Sequence, residues 1–352
     1  MINIKKFKSV GIVGFGAYLP YWRIKVKEIA KNWDKDGEKI SKSLGVEQKA
    51  IVAKDEDSVT MAVEAAQLVL KRAKINPKKI GAIFVGSESH PYSVKPSGTI
   101  IGEILGLSRE YFCADLEFAC KAGTAGLQIV SAMIESGMIN YGLVIGSDKA
   151  QAKPGDALEY TAGAGAGAFI LGRKRLAVEL ISTYSISSDT PDFWRRQGCQ
   201  FPSHTGRFTG EPGYFYHLKT GINNFLNKIK KKPDFFDYVV FHMPNAKFPL
   251  RLAKKLGFSF SQIERGFLAP KIGNPYSASS LLGLASVLDQ AKAGKNILLA
   301  SYGSGSGSDI FWLRTKKRLL ELQKKEKTIN SYLNNYLYLD YFSYLRNYGI
   351  LE

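Results

Sequence analysis

The sequence predicts an α/β fold made of two similar halves, each with a strand, a helix that begins with small residues, and a second strand. The matching segments, first half then second, are the strands 79–89 and 236–245, the helices from 120 and over 273–291, and the strands 141–148 and 295–309. Each helix has apolar residues at helical spacing and leads through a short turn into an apolar stretch that ends in Gly-Ser. Such internal likeness, at about half the chain length, is typical of a duplicated α/β unit.

Other segments complete the two halves. Residues 58–75 have the pattern of a strong helix, with Asp57 or Ser58 as its N-cap. Residues 157–171 pass from a polar turn into a Gly/Ala-rich strand, and residues 185–220 are rich in aromatic residues, glycine and arginine. We expect this last stretch to be a long irregular region that forms a substrate entrance.

The chain is expected to divide into an N-terminal half over 1–175, a C-terminal half over 176–315 and a tail over 316–352. The tail is first Lys-rich and then Tyr-rich. Because it is too aromatic for a disordered segment, we expect it to dock on its own domain or on a partner.

Composition narrows the functional classes. The chain has 352 residues and a formal net charge of +18, with 45% hydrophobic and 23% charged residues, as in an ordinary globular protein. Three scattered cysteines and four separated histidines fit neither a disulfide framework nor a zinc site, and we expect a cytoplasmic protein. The lysines are dispersed without a nucleic-acid-binding motif, and no stretch is long enough to span a membrane. The excess charge fits a biased composition or a phosphate-bearing ligand such as a coenzyme A thioester.

Cys120 lies where the apolar stretch ADLEFA runs into the first-half helix. A helix N-terminus presents unpaired N–H groups and the positive end of the helix dipole. Both favour a thiolate, so this cysteine is a candidate nucleophile. The alternative at this point is a small buried hydrophobic residue.

The duplication supplies partners for Cys120. In α/β sheets, catalytic groups collect at the carboxyl ends of central strands and at the adjacent helix starts. Glu88 ends the first-half strand, His242 holds the matching place in the second half, and Asn274 precedes the second-half helix. The run GSGSGSD at 303–309 has the composition of a linker but follows a strong strand, so its N–H groups are candidates for an oxyanion hole.

Five segments resemble those of a known family, namely GSESHPYSVKPSGT, ADLEFACKAGTAG, PGDALEYTAGAGA, HMPNAKFP and GNPYSASS. Through them, the chain resembles the archaeal hydroxymethylglutaryl-CoA synthases of the thiolase superfamily over nearly its whole length. Glu88, Cys120 and His242 together separate this family from the β-ketoacyl-carrier-protein synthases, which use Cys-His-Asn without a glutamate base at that position. The resemblance implies a thiolase-like fold, with the duplicated α/β halves forming a five-layered αβαβα architecture.

The resemblance also implies a role for each matching residue. Cys120 would be the acyl-thioester nucleophile, Glu88 a general acid/base that deprotonates the acetyl methyl group, and His242 a general acid/base that activates a carbonyl. Four further residues would position acyl groups, namely Thr161, Thr209, Asn274 and Ser304. Two others, Lys247 and Arg251, would contact coenzyme A phosphates. No metal and no covalently bound cofactor is implied, because coenzyme A thioesters are the substrates.

The implied reaction condenses acetyl-CoA with acetoacetyl-CoA and water to give 3-hydroxy-3-methylglutaryl-CoA, a step of the mevalonate route to isoprenoids. Family members imply a homodimer and a multi-enzyme complex with an acetoacetyl-CoA thiolase and a small zinc-ribbon/OB-fold protein, with no nucleic-acid or membrane partner. Two alternatives stay open. One is a β-ketoacyl synthase III-like enzyme that uses malonyl donors and releases CO₂, and the other is a non-catalytic thiolase-fold scaffold.

Overall fold

The computed structural model describes residues 5–305, 307–323 and 327–351. The strands, β1 to β15 in chain order, are Lys5–Lys6, Gly11–Tyr18, Trp22–Lys25, Gln48–Ile51, Ala82–Gly86, Phe112–Leu116, Tyr141–Lys149, Ala164–Gly172, Val178–Ser187, Phe193–Trp194, Ser203–His204, Tyr238–Phe241, Asn296–Gly303, Gly307–Thr315 and Leu337–Tyr338. The helices, α1 to α14, are Val26–Lys31, Gly37–Leu44, Ser58–Ala73, Ser97–Ile104, Ala122–Glu135, Gly206–Phe208, Phe215–Ile229, Lys247–Leu256, Phe260–Ile263, Ala269–Ile272, Ser279–Gln290, Leu319–Gln323, Ile329–Leu333 and Tyr341–Asn347.

The main sheet shows the predicted duplication element by element. Its strand order is β12-β13-β14-β9-β2-β8-β7-β5-β6, with β1 added on β9. Counted outward from the centre of the sheet, the first half has the order β2-β8-β7-β5, and the second half has the order β9-β14-β13-β12. Each strand of the first half therefore has an equivalent at the same place in the second half. The helices recur as well, because α3 and α7 follow the first strand of each half, and α5 and α11 precede the third. The β2–β9 pairing joins the halves through two residue pairs.

Three apolar clusters separate the layers. The central cluster lies between the two half-sheets and contains Leu127 and Val130 of α5 with Leu281 and Leu284 of α11. One outer cluster holds α3 against the first half-sheet, and the other holds α7 and α8 against the second. The strands are buried on both faces, which explains their near-continuous apolar runs. This arrangement of helix, sheet, paired helices, sheet and helix confirms the expected five layers.

Several local expectations change in detail. Asp57 is the N-cap of α3 and forms a capping box with Thr60. The expected irregular region 185–220 is shorter, because β9 continues to Ser187 by pairing with β14 and α7 begins at Phe215. Most of 303–309 is strand instead of linker, since β13 ends at Gly303 and β14 begins at Gly307, while Ser306 lies outside the described residues.

The Tyr-rich tail packs on the first half of its own chain. Strand β15 pairs with β3, and α14 buries Tyr341, Tyr344 and Leu345 in a small apolar cluster. Beneath the helix, the buried Lys49 ammonium donates hydrogen bonds to the Glu159 carbonyl at 2.5 Å and to the Tyr344 hydroxyl at 3.2 Å. Burial lowers the pKa of Lys49 to about 7. The tail thus supplies one hydrogen-bond partner, Tyr344, for a buried amine. The segment boundaries expected at 175 and 315 stay predictions.

Within the described ranges, none of the helices combines the length and apolar character needed to cross a lipid bilayer.

We predict that Tyr344→Phe destabilises the protein by about 1–3 kcal/mol, because a buried amine loses a hydrogen-bond partner. Urea unfolding would measure the loss. Tyr348→Phe is the matched control, since the buried Tyr348 hydroxyl has no hydrogen-bond partner among the described residues. It should change the free energy of unfolding by less than about 0.5 kcal/mol. Equal losses in both variants would contradict a specific role for the Tyr344 hydroxyl.

Candidate active site

Cys120 lies in a 3₁₀ turn, Ala119–Lys121, that leads into α5. Ala119 has a φ of 42°, a strained value for a residue with a side chain. The second half repeats this entry, because the 3₁₀ turn Tyr276–Ala278 before α11 begins at Tyr276 with a φ of 40°. The residue equivalent to Cys120 is therefore Ser277, three positions after the Asn274 that sequence symmetry indicated.

Close backbone approaches fix the Cys120 turn between two strand ends. A Cβ on Gly86, at the end of β5, would lie 2.4 Å from the Ala122 carbonyl carbon. A Cβ on Gly303, at the end of β13, would lie 2.8 Å from the Phe118 carbonyl oxygen. Only glycine permits these contacts, so the turn that bears Cys120 packs directly on one strand of each half.

A buried ion pair anchors the same turn to the second half. The Lys121 ammonium lies 3.1 Å from both carboxylate oxygens of Asp309 on β14. Asp309 also accepts hydrogen bonds from the hydroxyls of Thr124 and Ser185, at 3.0 and 2.7 Å. The ammonium contacts both carboxylate oxygens, and the carboxylate has two further hydroxyl donors, so the ion pair is compatible with burial. The ion pair also orients the start of α5.

Glu88 follows β5, and the buried Asp148 at the end of β7 holds its backbone. One Asp148 oxygen accepts the Glu88 N–H at 2.8 Å and the hydroxyls of Ser87 and Ser89 at 2.9 and 2.6 Å. The other oxygen accepts the Ser277 N–H at 2.8 Å. One carboxylate therefore joins the strand end that bears the candidate base to the symmetry-related turn of the second half.

Cys120 and Glu88 are neighbouring groups, close enough for each to shift the pKa of the other. Cys120 is 4% exposed, and one buried Glu88 carboxyl oxygen has no hydrogen-bond partner among the described residues. Burial, and then the Asp148 charge, raise the pKa of Glu88 to about 8. Burial, and then the neighbouring Glu88, raise the pKa of Cys120 well above its usual value. Burial and the neighbouring acidic groups Glu88, Asp148 and Asp192 therefore disfavour the thiolate that the helix start led us to expect.

His242 lies one residue beyond β12, where its N–H donates to the Ala300 carbonyl at 3.0 Å. Its ring is 6.3 Å from the ring of Tyr302, next to the strand end that supports the Cys120 turn. Burial lowers the pKa of His242 to about 3, so the imidazole is neutral at physiological pH. Its Nδ1 atom has no partner among the described residues. A neutral ring favours hydrogen-bond donation to a carbonyl over full proton transfer.

Asn274 and Thr161 meet on the other side of Cys120. The Asn274 N–H donates to the Thr161 carbonyl at 2.7 Å, and the Asn274 side chain accepts the Tyr276 N–H at 3.1 Å. The Tyr276 ring packs with Cys120 in a small buried cluster, and its hydroxyl donates to the Gln151 carbonyl at 2.8 Å. Tyr276 thus connects Cys120 to Asn274 and Thr161, which are two of the four predicted substrate-binding residues.

A cavity of about 620 Å³ opens onto this group of residues. Glu88 and Ser304 line it among the predicted residues, together with Phe118, Phe193, Arg195 and Tyr276. Cys120, His242, Asn274 and Thr161 lie behind this lining. Within the described part of the chain, no cluster of three or more His, Cys, Asp or Glu is placed to hold a metal ion.

Three predicted residues lie away from the cavity wall. Lys247 and Arg251 are exposed on α8, where the Arg251 guanidinium lies 5.2 Å from the Phe215 ring, and Thr209 begins the irregular turn before α7. Their roles stay predictions. The Gly305 N–H already donates to Asp192 at 2.7 Å, which leaves Cys120 and Ser304 as the candidates for an oxyanion hole.

Sequence reasoning missed Asp148, Asp192 and Tyr276. Asp148 ends a predicted strand next to the Glu88 strand, so the strand-end rule could have found it. Asp192 accepts from the Tyr302 hydroxyl at 2.7 Å across 110 residues, and no local pattern signals such a contact. An alignment of the two turns that lead into α5 and α11 would have indicated Tyr276.

Comparison with known proteins agrees with this geometry. Residues 6–175 match a family model described as hydroxymethylglutaryl-coenzyme A synthase N terminal. The hydroxymethylglutaryl-CoA synthase of Archaeoglobus fulgidus is 54% identical, covering 96% of this chain and 98% of the relative. That of Methanocaldococcus jannaschii is 52% identical, covering 96% and 97%.

Solved structures share the fold. MvaS in complex with 3-hydroxy-3-methylglutaryl coenzyme A superposes with a TM-score of 0.89 at 24% identity, covering 99% of this chain and 93% of that one. An HMG-CoA synthase complexed with CoA gives a TM-score of 0.86 at 25% identity, covering 96% and 89%. The thiolase-like fold expected from the sequence is confirmed, and the chain belongs to the hydroxymethylglutaryl-CoA synthase family.

Proposed function

We propose that this protein condenses acetyl-CoA with acetoacetyl-CoA and water to give 3-hydroxy-3-methylglutaryl-CoA and CoA. The observation that carries the proposal is the placement of the buried Cys120 thiol next to the Glu88 carboxyl group, which lines the cavity. A thiol can store an acetyl group as a thioester, and a carboxyl group with a pKa of about 8 is a stronger base than an ordinary carboxylate. Family membership supports the same reaction.

The first step is acetyl transfer. The Cys120 sulfur attacks the acetyl-CoA carbonyl, the bond to the CoA sulfur breaks, and the thiol proton passes to the departing CoA sulfur. Because one thiol replaces another, the exchange releases no net proton, and a thiol with a raised pKa is a competent resting state. The N–H groups of Cys120 and Ser304 would stabilise the oxyanion.

The second step forms the carbon–carbon bond. Glu88 removes a proton from the acetyl methyl group, which the thioester acidifies, and the enolate attacks the C3 carbonyl of acetoacetyl-CoA. The alkoxide that forms on C3 takes up the proton that Glu88 removed, which gives the hydroxyl group and returns Glu88 to its carboxylate form. The neutral His242 would donate a hydrogen bond to the oxygen on which negative charge develops. Asn274 and Thr161 would position the acyl groups. Hydrolysis at Cys120 then releases the product.

Association and context follow from the family resemblance. We propose that the chain is a cytoplasmic enzyme of the mevalonate route that forms a homodimer and a complex with an acetoacetyl-CoA thiolase and a small zinc-ribbon/OB-fold protein. Strand β6 supports the dimer, because it lies at the edge of the main sheet next to the Cys120 turn and exposes 48% of Phe112. Lys247 and Arg251 would contact coenzyme A phosphates, and Thr209 would contact an acyl group.

Intact mass spectrometry after incubation with acetyl-CoA tests the roles of Cys120 and Glu88. The wild type and the control Cys113→Ser should gain one acetyl group, and Cys120→Ser should gain none. Glu88→Ala should still gain it, because removing Glu88 removes two of the causes that raise the Cys120 pKa. This variant should then fail to condense, with turnover lower by about 10²–10⁴-fold.

Two outcomes would contradict the proposal. A Glu88→Ala enzyme that cannot be acetylated would show that Glu88 serves the first step. A wild type that is never acetylated would favour the alternative of a non-catalytic thiolase-fold scaffold. Product formed from acetoacetyl-CoA without CO₂ release would exclude the decarboxylating alternative.

The raised pKa of Glu88 also predicts a pH-dependent stability effect. The folded state keeps this proton to about pH 8, whereas an exposed glutamate in the unfolded chain loses it near 4.5. The stability that Glu88 contributes is therefore complete below about pH 4.5 and is lost as the pH rises through about 8. Glu88→Gln cannot ionise, so its Tm should exceed that of the wild type by several degrees at pH 9 and by little at pH 5. Calorimetry would measure this, with the exposed Glu103→Gln as control, and a pH-independent difference would contradict the assigned protonation state.

A further inference from the structure

Most of the charged side chains that line the cavity beside Glu88 are acidic. Glu88, Glu117 and Asp189 line it, and Asp148 and Asp192 lie close enough behind it to raise the pKa of Cys120. Arg195 is the only cationic side chain among the described residues that line the cavity. The other nearby cation, Lys121, is already paired with Asp309.

Arg195 is held next to Glu88. One guanidinium nitrogen donates to the Glu88 backbone carbonyl at 3.1 Å, and another donates to the Cys199 carbonyl at 3.3 Å. Arg195 begins the loop that connects the short strands β10 and β11, and the ring of Phe193 on β10 packs edge-on against Tyr276 at 5.9 Å. The guanidinium is thus held beside Glu88, the neighbour of Cys120, although the side chain reaches the cavity from an exposed loop.

The proposed reaction creates a negative charge at this place. In its last step, water attacks the thioester carbonyl on Cys120, the carbon–sulfur bond breaks, and Cys120 regains its thiol proton. The acyl group leaves as a carboxylate, and one proton is released. The neutral thioester therefore becomes an anion among carboxylates, which is electrostatically unfavourable without a cation.

Resting on the proposed function, we propose that Arg195 is the catalytic residue that binds the product carboxylate as it is released from Cys120. A guanidinium offers the planar pair of N–H donors that matches a carboxylate. Its bond to the Glu88 carbonyl places these donors beside the Cys120–Glu88 pair. Arg195 then acts in hydrolysis and product release, while acetylation does not require it.

Rapid-quench intact mass spectrometry of Arg195→Gln tests this assignment. With acetyl-CoA alone, the variant should be acetylated at the wild-type rate. With both substrates, an adduct with the mass of acetyl plus acetoacetyl-CoA should accumulate on Cys120, and turnover should fall roughly ten- to hundredfold, as expected for the loss of a charge-assisted hydrogen bond. Arg195→Lys should restore part of the turnover, and Arg196→Gln, which changes the adjacent arginine outside the cavity lining, should behave like the wild type.

Other results would overturn the assignment. If Arg195→Gln raises the KM for acetyl-CoA and no adduct accumulates, the residue contacts the coenzyme instead. If acetylation and turnover fall by the same factor, the residue acts before hydrolysis. A wild type that is not acetylated would refute the proposed function itself, a result separable from the first two because it needs no Arg195 variant.

Discussion

The site depends on one buried carboxylate, Asp148. It accepts the N–H of Glu88 from the first half and the N–H of Ser277 from the second, and it binds the hydroxyls of Ser87 and Ser89. Without it, two buried N–H groups would lack these partners, at a cost of about 1–3 kcal/mol each. The duplicated fold brings two strand ends and two helix entries together, and Asp148 locks them in the register that sets Glu88 against Cys120.

The same carboxylate shapes the chemistry. Its charge raises the pKa of both Glu88 and Cys120, so the resting pair holds its protons instead of separating into ions. A protonated thiol suits thioester exchange, since no net proton is lost, and a weakly acidic Glu88 suits removal of a carbon-bound proton once ionised. As a consequence, the acidic groups around the pocket disfavour an anionic product. Arg195 is the cation that we propose offsets this repulsion.

Much of the fold could be predicted from the sequence because its signals are local. Strands buried on both faces give continuous apolar runs, central helices begin with small residues, and both patterns occur twice. The strand-end rule then indicated Glu88 and His242 as candidates without reference to a family, and the candidate Cys120 followed from its position at a helix start. The family resemblance added roles for these residues.

The rest depends on contacts between distant residues and on solvent exclusion. Asp192 accepts a hydrogen bond from the Tyr302 hydroxyl, and Lys49 donates one to the Tyr344 hydroxyl of the tail. The two residues of each pair lie far apart in the sequence. The raised pKa of Cys120 could not be predicted, because a helix start suggests a thiolate, whereas burial among carboxylates disfavours one. A local pattern shows where a residue lies along an element but not how much water reaches it.

The pH dependence of condensation by pre-acetylated enzyme tests the central claim most directly, with the wild type compared to Asp148→Asn. The wild-type rate should rise through about pH 8 as Glu88 ionises. In Asp148→Asn, the midpoint should move to lower pH, because a charge that raises the Glu88 pKa is gone. A midpoint that stays the same in the variant would contradict the claim that Asp148 governs Glu88.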